Sequence, residues 1–120
     1  MRPDVIPQAS TEFFTPERCF ITELLNTKDF NSLSIAKARV KAGVTTMLHK
    51  LNETDEIYYI LSGRGEMEVA GENVGIVVAN DVVFIPRNSP QRIKNVSDED
   101  LIFLCICAPR FEVENYIANE

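Results

Sequence analysis

The sequence is poor in the residues that most often carry chemistry or cross-links. It has one histidine, His49, and three cysteines, Cys19, Cys105 and Cys107. A Cys/His nucleophile would have to pair one of those thiols with the single imidazole, and nothing in the spacing brings them together. An odd number of cysteines without a disulfide-like framework suits a reducing compartment. Cys105 and Cys107 lie two apart in an apolar run, as small residues on one face of a buried strand would. Basic residues are also few: 12 Lys and Arg stand against 18 Asp and Glu, a net charge of −6. That balance argues against a broad basic surface for nucleic acid or an anionic membrane. The longest dense apolar run, "LIFLCICA", falls well short of the roughly 20 residues that cross a bilayer as a helix. The opening "MRPDVIPQAS" has no apolar signal-peptide core. These absences predict a soluble, cytoplasmic protein with no nucleic-acid or membrane partner.

What remains is an ordinary globular balance, 45% hydrophobic and 25% charged over 120 residues, which fits one domain spanning 1–120. Short runs of period two fill the chain: 19–25, 32–40, 45–51, 56–61, 65–70, 73–78, 81–86, 91–96 and 101–108. Between them lie turn-forming stretches such as "LSGRG", "AGEN", "AND", "RNSP" and "SDED". Strands at this close, even spacing predict an all-β sandwich or barrel with no long helix. The tail "FEVENYIANE" reads as a short helix or a segment lying against a neighbouring subunit. In the run 32–40, Ser34, Ala36, Ala38 and Val40 share one face, with Lys37 and Arg39 expected on the outer one.

Two runs place ionisable groups among apolar ones. In 56–61, Glu56, Tyr58 and Ile60 share a face; in 45–51, Met47, His49 and Leu51 do. If those faces meet inside the fold, a carboxylate and an imidazole are buried together, which is costly unless each finds a partner. Either His49 and Glu56 hydrogen-bond to each other or they serve a site. Tyr58 needs a partner for its hydroxyl, and Met47, Leu51, Ile60, Phe84 and Phe103 read as core or pocket wall. Gly63 and Gly65 are turn residues rather than a phosphate loop, since no Lys-Ser/Thr follows and no helix begins there. No nucleotide cofactor is expected.

These residues fall into a known frame. The chain resembles the cupin family, whose first motif runs G-x5-H-x-H-x3,4-E-x6-G: here Gly43, His49, Leu51, Glu56 and Gly63. The second runs G-x5-P-x-G-x2-H-x3-N: here Asn80, Pro86, Asn88, Gln91 and Asn95. Leu51 and Gln91 replace two histidines, and Asn80 and Asn88 replace glycines at positions that tolerate a left-handed backbone. The frame covers roughly residues 32–108. The resemblance implies a double-stranded β-helix, the jelly-roll cupin barrel, that pairs as a homodimer, here through "CFITELL". It also implies a pocket for a small-molecule ligand or substrate with a divalent transition metal (Fe, Mn, Ni, Cu or Zn). Carried over position by position, His49, Glu56 and Gln91 are the metal-ligand candidates. Glu56 and Tyr58 are the catalytic candidates, and Met47, Leu51, Tyr58, Ile60 and Gln91 the expected pocket lining. The implied activity is an oxygenase, isomerase or cyclase-like reaction; the alternative is a ligand-binding or sensing protein with a lapsed metal centre.

Overall fold

Small and large side chains alternate with pointed regularity on β3 (Phe30–Val40), where Ser34, Ala38 and Val40 are buried and Arg39 turns outward to pair with Glu12 and Asp100. The structure, a computed structural model, describes residues 2–8 and 10–120. Around β3 a six-stranded sheet runs in the order β1 (Phe13–Phe14), β2 (Phe20–Thr27), β3, β10 (Leu101–Ala108), β5 (Asp55–Ser62) and β8 (Val82–Ile85). A five-stranded sheet faces it: β11 (Tyr116–Ala118), β4 (His49–Leu51), β9 (Gln91–Asn95), β6 (Arg64–Val69) and β7 (Glu72–Val78). All pairings are antiparallel. The fold is the all-β jelly roll expected of a double-stranded β-helix. Its two sheets are not closed into one hydrogen-bonded barrel: β1 and β8 end one, β11 and β7 the other.

Left-handed backbone marks the corners. Gly43, Gly63, Asn80 and Asn88 all have positive φ, at 77°, 87°, 75° and 67°. The two asparagines therefore adopt the conformation that their positions demand, at the cost a side chain brings to that region. Gly63 is constrained twice, because a Cβ there would lie 2.6 Å from the Asp100 carbonyl oxygen. Asn95, fully buried, ties a corner together: its amide nitrogen donates to the Val40 and Glu99 carbonyls, and its oxygen accepts from Ser97. A buried amide satisfied at both ends stabilises rather than costs.

Three expectations change. The run 45–51 yields a strand only over His49–Leu51; Thr45 makes a lone bridge to Lys94, and the Met47 amide leaves the sheet to donate to the Glu17 carbonyl. The tail forms one short turn of 3₁₀ helix, Val113–Asn115, and then β11, which pairs with β4 within the same chain. Phe84 is not core but 59% exposed. Every residue of "VVFI" is apolar, so the composition of β8 gives no hint of which face turns in; Val83 and Ile85 do, leaving Val82 and Phe84 outside.

Candidate functional site

The two sheets pack tightly at one end and separate at the other. The space between them at the open end is a cavity of about 610 Å³, within the size range of small-molecule pockets. Small residues create it: the inward face of β3 contributes only Ser34, Ala36 and Ala38 to the wall. β4 supplies His49 and Leu51, β5 Glu56 and Tyr58, and β10 Phe103, Cys105 and Cys107. Period two does the rest, because each of these sets lies at alternate positions on its strand.

Glu56 is held from behind. Gln91, which stands beside it on β9, donates from Nε2 to Glu56 Oε1 at 2.7 Å, and Tyr58 donates from its hydroxyl to Gln91 Oε1. The other carboxylate oxygen, Oε2, has among the described residues only the Cys107 thiol as a hydrogen-bond partner, at 3.8 Å. Burial pushes the Glu56 carboxyl up to about 7, against the opposing pull of the Gln91 hydrogen bond and of His49. The Tyr58 hydroxyl is raised well above its ordinary range by burial and by the Glu56 charge. Burial also raises all three thiols, Cys19 to about 12, so none offers a thiolate nucleophile near neutrality.

His49 is nearly buried, and its Nδ1 lies 2.8 Å from the Met47 carbonyl oxygen. A carbonyl only accepts, so Nδ1 carries the hydrogen and Nε2 presents a lone pair in the neutral ring. The Tyr116 ring stacks on the imidazole at 4.9 Å between centroids. Glu17 Oε2 lies 3.8 Å from Nδ1, and burial raises the Glu17 carboxyl while His49 opposes the rise. Glu23 also reaches the wall and is raised by burial.

The expected residues thus divide. Met47, Leu51, Tyr58, His49 and Glu56 line the cavity. Ile60 shares their face of β5 but lies two residues deeper, fully buried in the core cluster. Gln91 supports Glu56 from behind without lining the cavity. His49 and Glu56 do not hydrogen-bond to each other among the described residues; each has its own protein partner. Glu17, Glu23 and Tyr116 were not singled out from sequence. Glu17 sits in a turn before β2 with no period to mark it, and Tyr116 reaches the site only because β11 folds back on β4.

The family's metal does not fit this donor set. Leu51 has no donor atom, and both ends of the Gln91 amide are engaged by Tyr58 and Glu56. His49 and one carboxylate oxygen remain, fewer than a resident divalent metal ordinarily requires. Among the described residues, no three His, Cys, Asp or Glu side chains converge as ligands.

Comparison with known proteins places the class first: residues 37–107 match the cupin domain family, and the chain belongs to it. Among its relatives is an uncharacterised protein of Methanocaldococcus jannaschii, 35% identical over 105 residues, covering 86% of this chain and 83% of that one. An oxalate-binding protein of Thermotoga maritima is 37% identical over 71 residues, 59% of this chain and 58% of that one. In three dimensions the chain resembles a Streptomyces nucleoside dehydratase, with a TM-score of 0.78 at 17% identity over 98% of this chain and 90% of that one. That likeness speaks for the fold.

Proposed function

We propose that this cupin binds a small molecule in the cavity and moves a proton on it without a resident metal. One observation carries the reading: Glu56 is fixed through Oε1 by the Tyr58–Gln91 chain, while Oε2 is left for a ligand. A carboxyl raised to about 7 exchanges protons readily near neutral pH, as a general acid or base must. Glu56 takes the proton from one atom of the ligand and the same carboxyl returns it at another, while His49 Nε2 accepts a hydrogen bond that orients the ligand. Gln91 keeps the carboxyl oriented, and the apolar walls limit water. Of the expected reactions, an isomerase or cyclase-like proton shift needs only these groups, and elimination in the dehydratase neighbour is chemistry of the same kind. The metal-dependent oxygenase reading finds too few donors.

Two measurements test the proposal. Elemental analysis of untagged protein should find well under one transition metal per chain; near-stoichiometric metal lost in His49→Ala would overturn it. Small ketones and aldehydes bearing neutral, acidic or amino substituents should be incubated with the protein in D2O. Deuterium incorporation beside the carbonyl that disappears in Glu56→Gln is the expected NMR result, and incorporation unchanged in that variant would rule Glu56 out as the base.

A further inference from the structure

The charge inside the cavity is one-sided. Three carboxyl side chains, Glu17, Glu23 and Glu56, reach its wall, and no lysine or arginine does among the described residues. The three arginines next in sequence to wall residues are engaged elsewhere: Arg18 holds Glu120 at 2.9 Å, Arg39 holds Glu12 at 2.7 Å and Arg110 holds Glu112 at 2.9 Å. Several neutral donors near the cavity are committed as well. The Tyr58 hydroxyl donates to Gln91, and the Thr15 hydroxyl to the Cys19 carbonyl.

A second observation, independent of the carboxyls, points the same way. The His49 side chain is only 4% exposed. Its Nδ1–H is engaged by Met47, and Nε2 has no hydrogen-bond partner among the described residues. Since His49 lines the cavity, Nε2 is an acceptor that a ligand or solvent must satisfy. Imidazole lone pair and carboxylate oxygens alike call for N–H or O–H donors, and the carboxylates favour a positive one.

We propose that the ligand of this cavity is a small organic cation, an ammonium or amidinium group on an apolar body, with its N–H groups directed at Glu56 and His49. The inference rests on the reading of the cavity as a small-molecule site and names the class that site selects. An anion would bring its charge beside carboxyl groups in a poorly solvated space with no cation to face it, which is costly. Oxalate, the ligand in the name of the Thermotoga relative, is such an anion. A cation instead finds its counter-charge already in place, and the wall accommodates its apolar body.

The test is calorimetric titration with three probes that share one body: benzylammonium, benzyl alcohol and benzoate, with oxalate as a fourth. It is run above the Glu56 value of about 7. Benzylammonium should bind at least about tenfold more tightly than benzoate, a modest gap for a charge reversal beside buried carboxyls, and oxalate should not bind. Equal or tighter binding of benzoate or oxalate overturns the cation preference and leaves the cavity reading standing. Failure of all the probes to bind sinks both. Glu17→Gln, Glu23→Gln and Glu56→Gln should each narrow the gap between ammonium and carboxylate; a gap undiminished in all three would show that the carboxyls do not recognise the ligand. The wild-type series needs no variant to fold.

Discussion

The two ends of the space between the sheets are built from the same strands and differ in what those strands carry inward. At the packed end β5 gives Ile60, β10 Leu101, β9 Ile93 and β6 Met67, all of them buried. At the open end β5 gives Glu56, β10 Cys105 and Cys107, and β3 Ser34 and Ala36. The backbone does not choose between core and cavity; side-chain volume does, a few residues along each strand. Polar groups follow the same division. At the open end Gln91 holds Glu56 and the Met47 carbonyl holds His49 Nδ1, while His49 Nε2 faces the cavity; no fully enclosed side-chain nitrogen or oxygen is left without a partner among the described residues.

Enlarging one end or filling the other should break the symmetry of that comparison. Ile60→Ala removes a fully buried side chain from close packing and should cost about 2–5 kcal/mol, seen as a lower urea midpoint with unchanged slope. Ala36→Leu adds comparable volume where space exists. It should cost clearly less than Ile60→Ala, because the added carbons enter the cavity rather than packed atoms, yet abolish probe binding. A loss at position 36 as large as that at position 60 would mean that the open end is packed in solution.

A second prediction concerns the buried carboxyl at the open end. Glu56 titrates at about 7 in the folded chain against 4.5 ordinarily, because burial disfavours its charge. The folded state therefore holds this proton more tightly than the unfolded state does. Its contribution is neutral below about pH 4.5, becomes increasingly unfavourable towards pH 7 and is fully so above, amounting to about 3 kcal/mol. Glu56→Gln, which can still accept from Gln91, should remove this decline. The difference between variant and wild-type stability, followed by urea titration, should grow from pH 4.5 to about 7 and then level. Glu17 and Glu23, raised in the same direction, leave a residual slope in both proteins.

Much of this was legible in the sequence, for identifiable reasons. The corner positions declare themselves through residue type: Gly43, Gly63, Asn80 and Asn88 are among the residues that best tolerate positive φ. Period two puts His49 and Glu56 on inward faces. Period gives the face and not the depth, so it could not separate Ile60 in the core from Tyr58 at the wall. Nor could it show that Gln91 stands behind Glu56 rather than beside the ligand space. Phe84 was misread because an all-apolar strand has no polar positions to fix its outer face. Glu17 and Tyr116 lie outside the cupin frame, and they reach the site through contacts between distant segments: the Met47 amide with the Glu17 carbonyl, and β11 with β4. No local pattern records such contacts.

The smallest expected effect belongs to that last pairing. β11 holds Tyr116 over His49 with only three strand residues paired to β4. Beyond it, Glu120 accepts from the Leu48 amide at 2.6 Å and from Arg18 at 2.9 Å. Exposed ion pairs contribute little to global stability, so Glu120→Gln should leave the urea midpoint where it is. The latch acts locally instead. Once it is weakened, β11 has few contacts to keep it closed, and segments with few buried contacts open most readily. Hydrogen exchange at the Ile117 and Asn119 amides, which face β4, should quicken in Glu120→Gln while exchange in β5 stays unchanged. Unchanged exchange in β11 would show that the strand is held by β4 alone, and that the open end is roofed by backbone pairing as firmly as the packed end is filled by side chains.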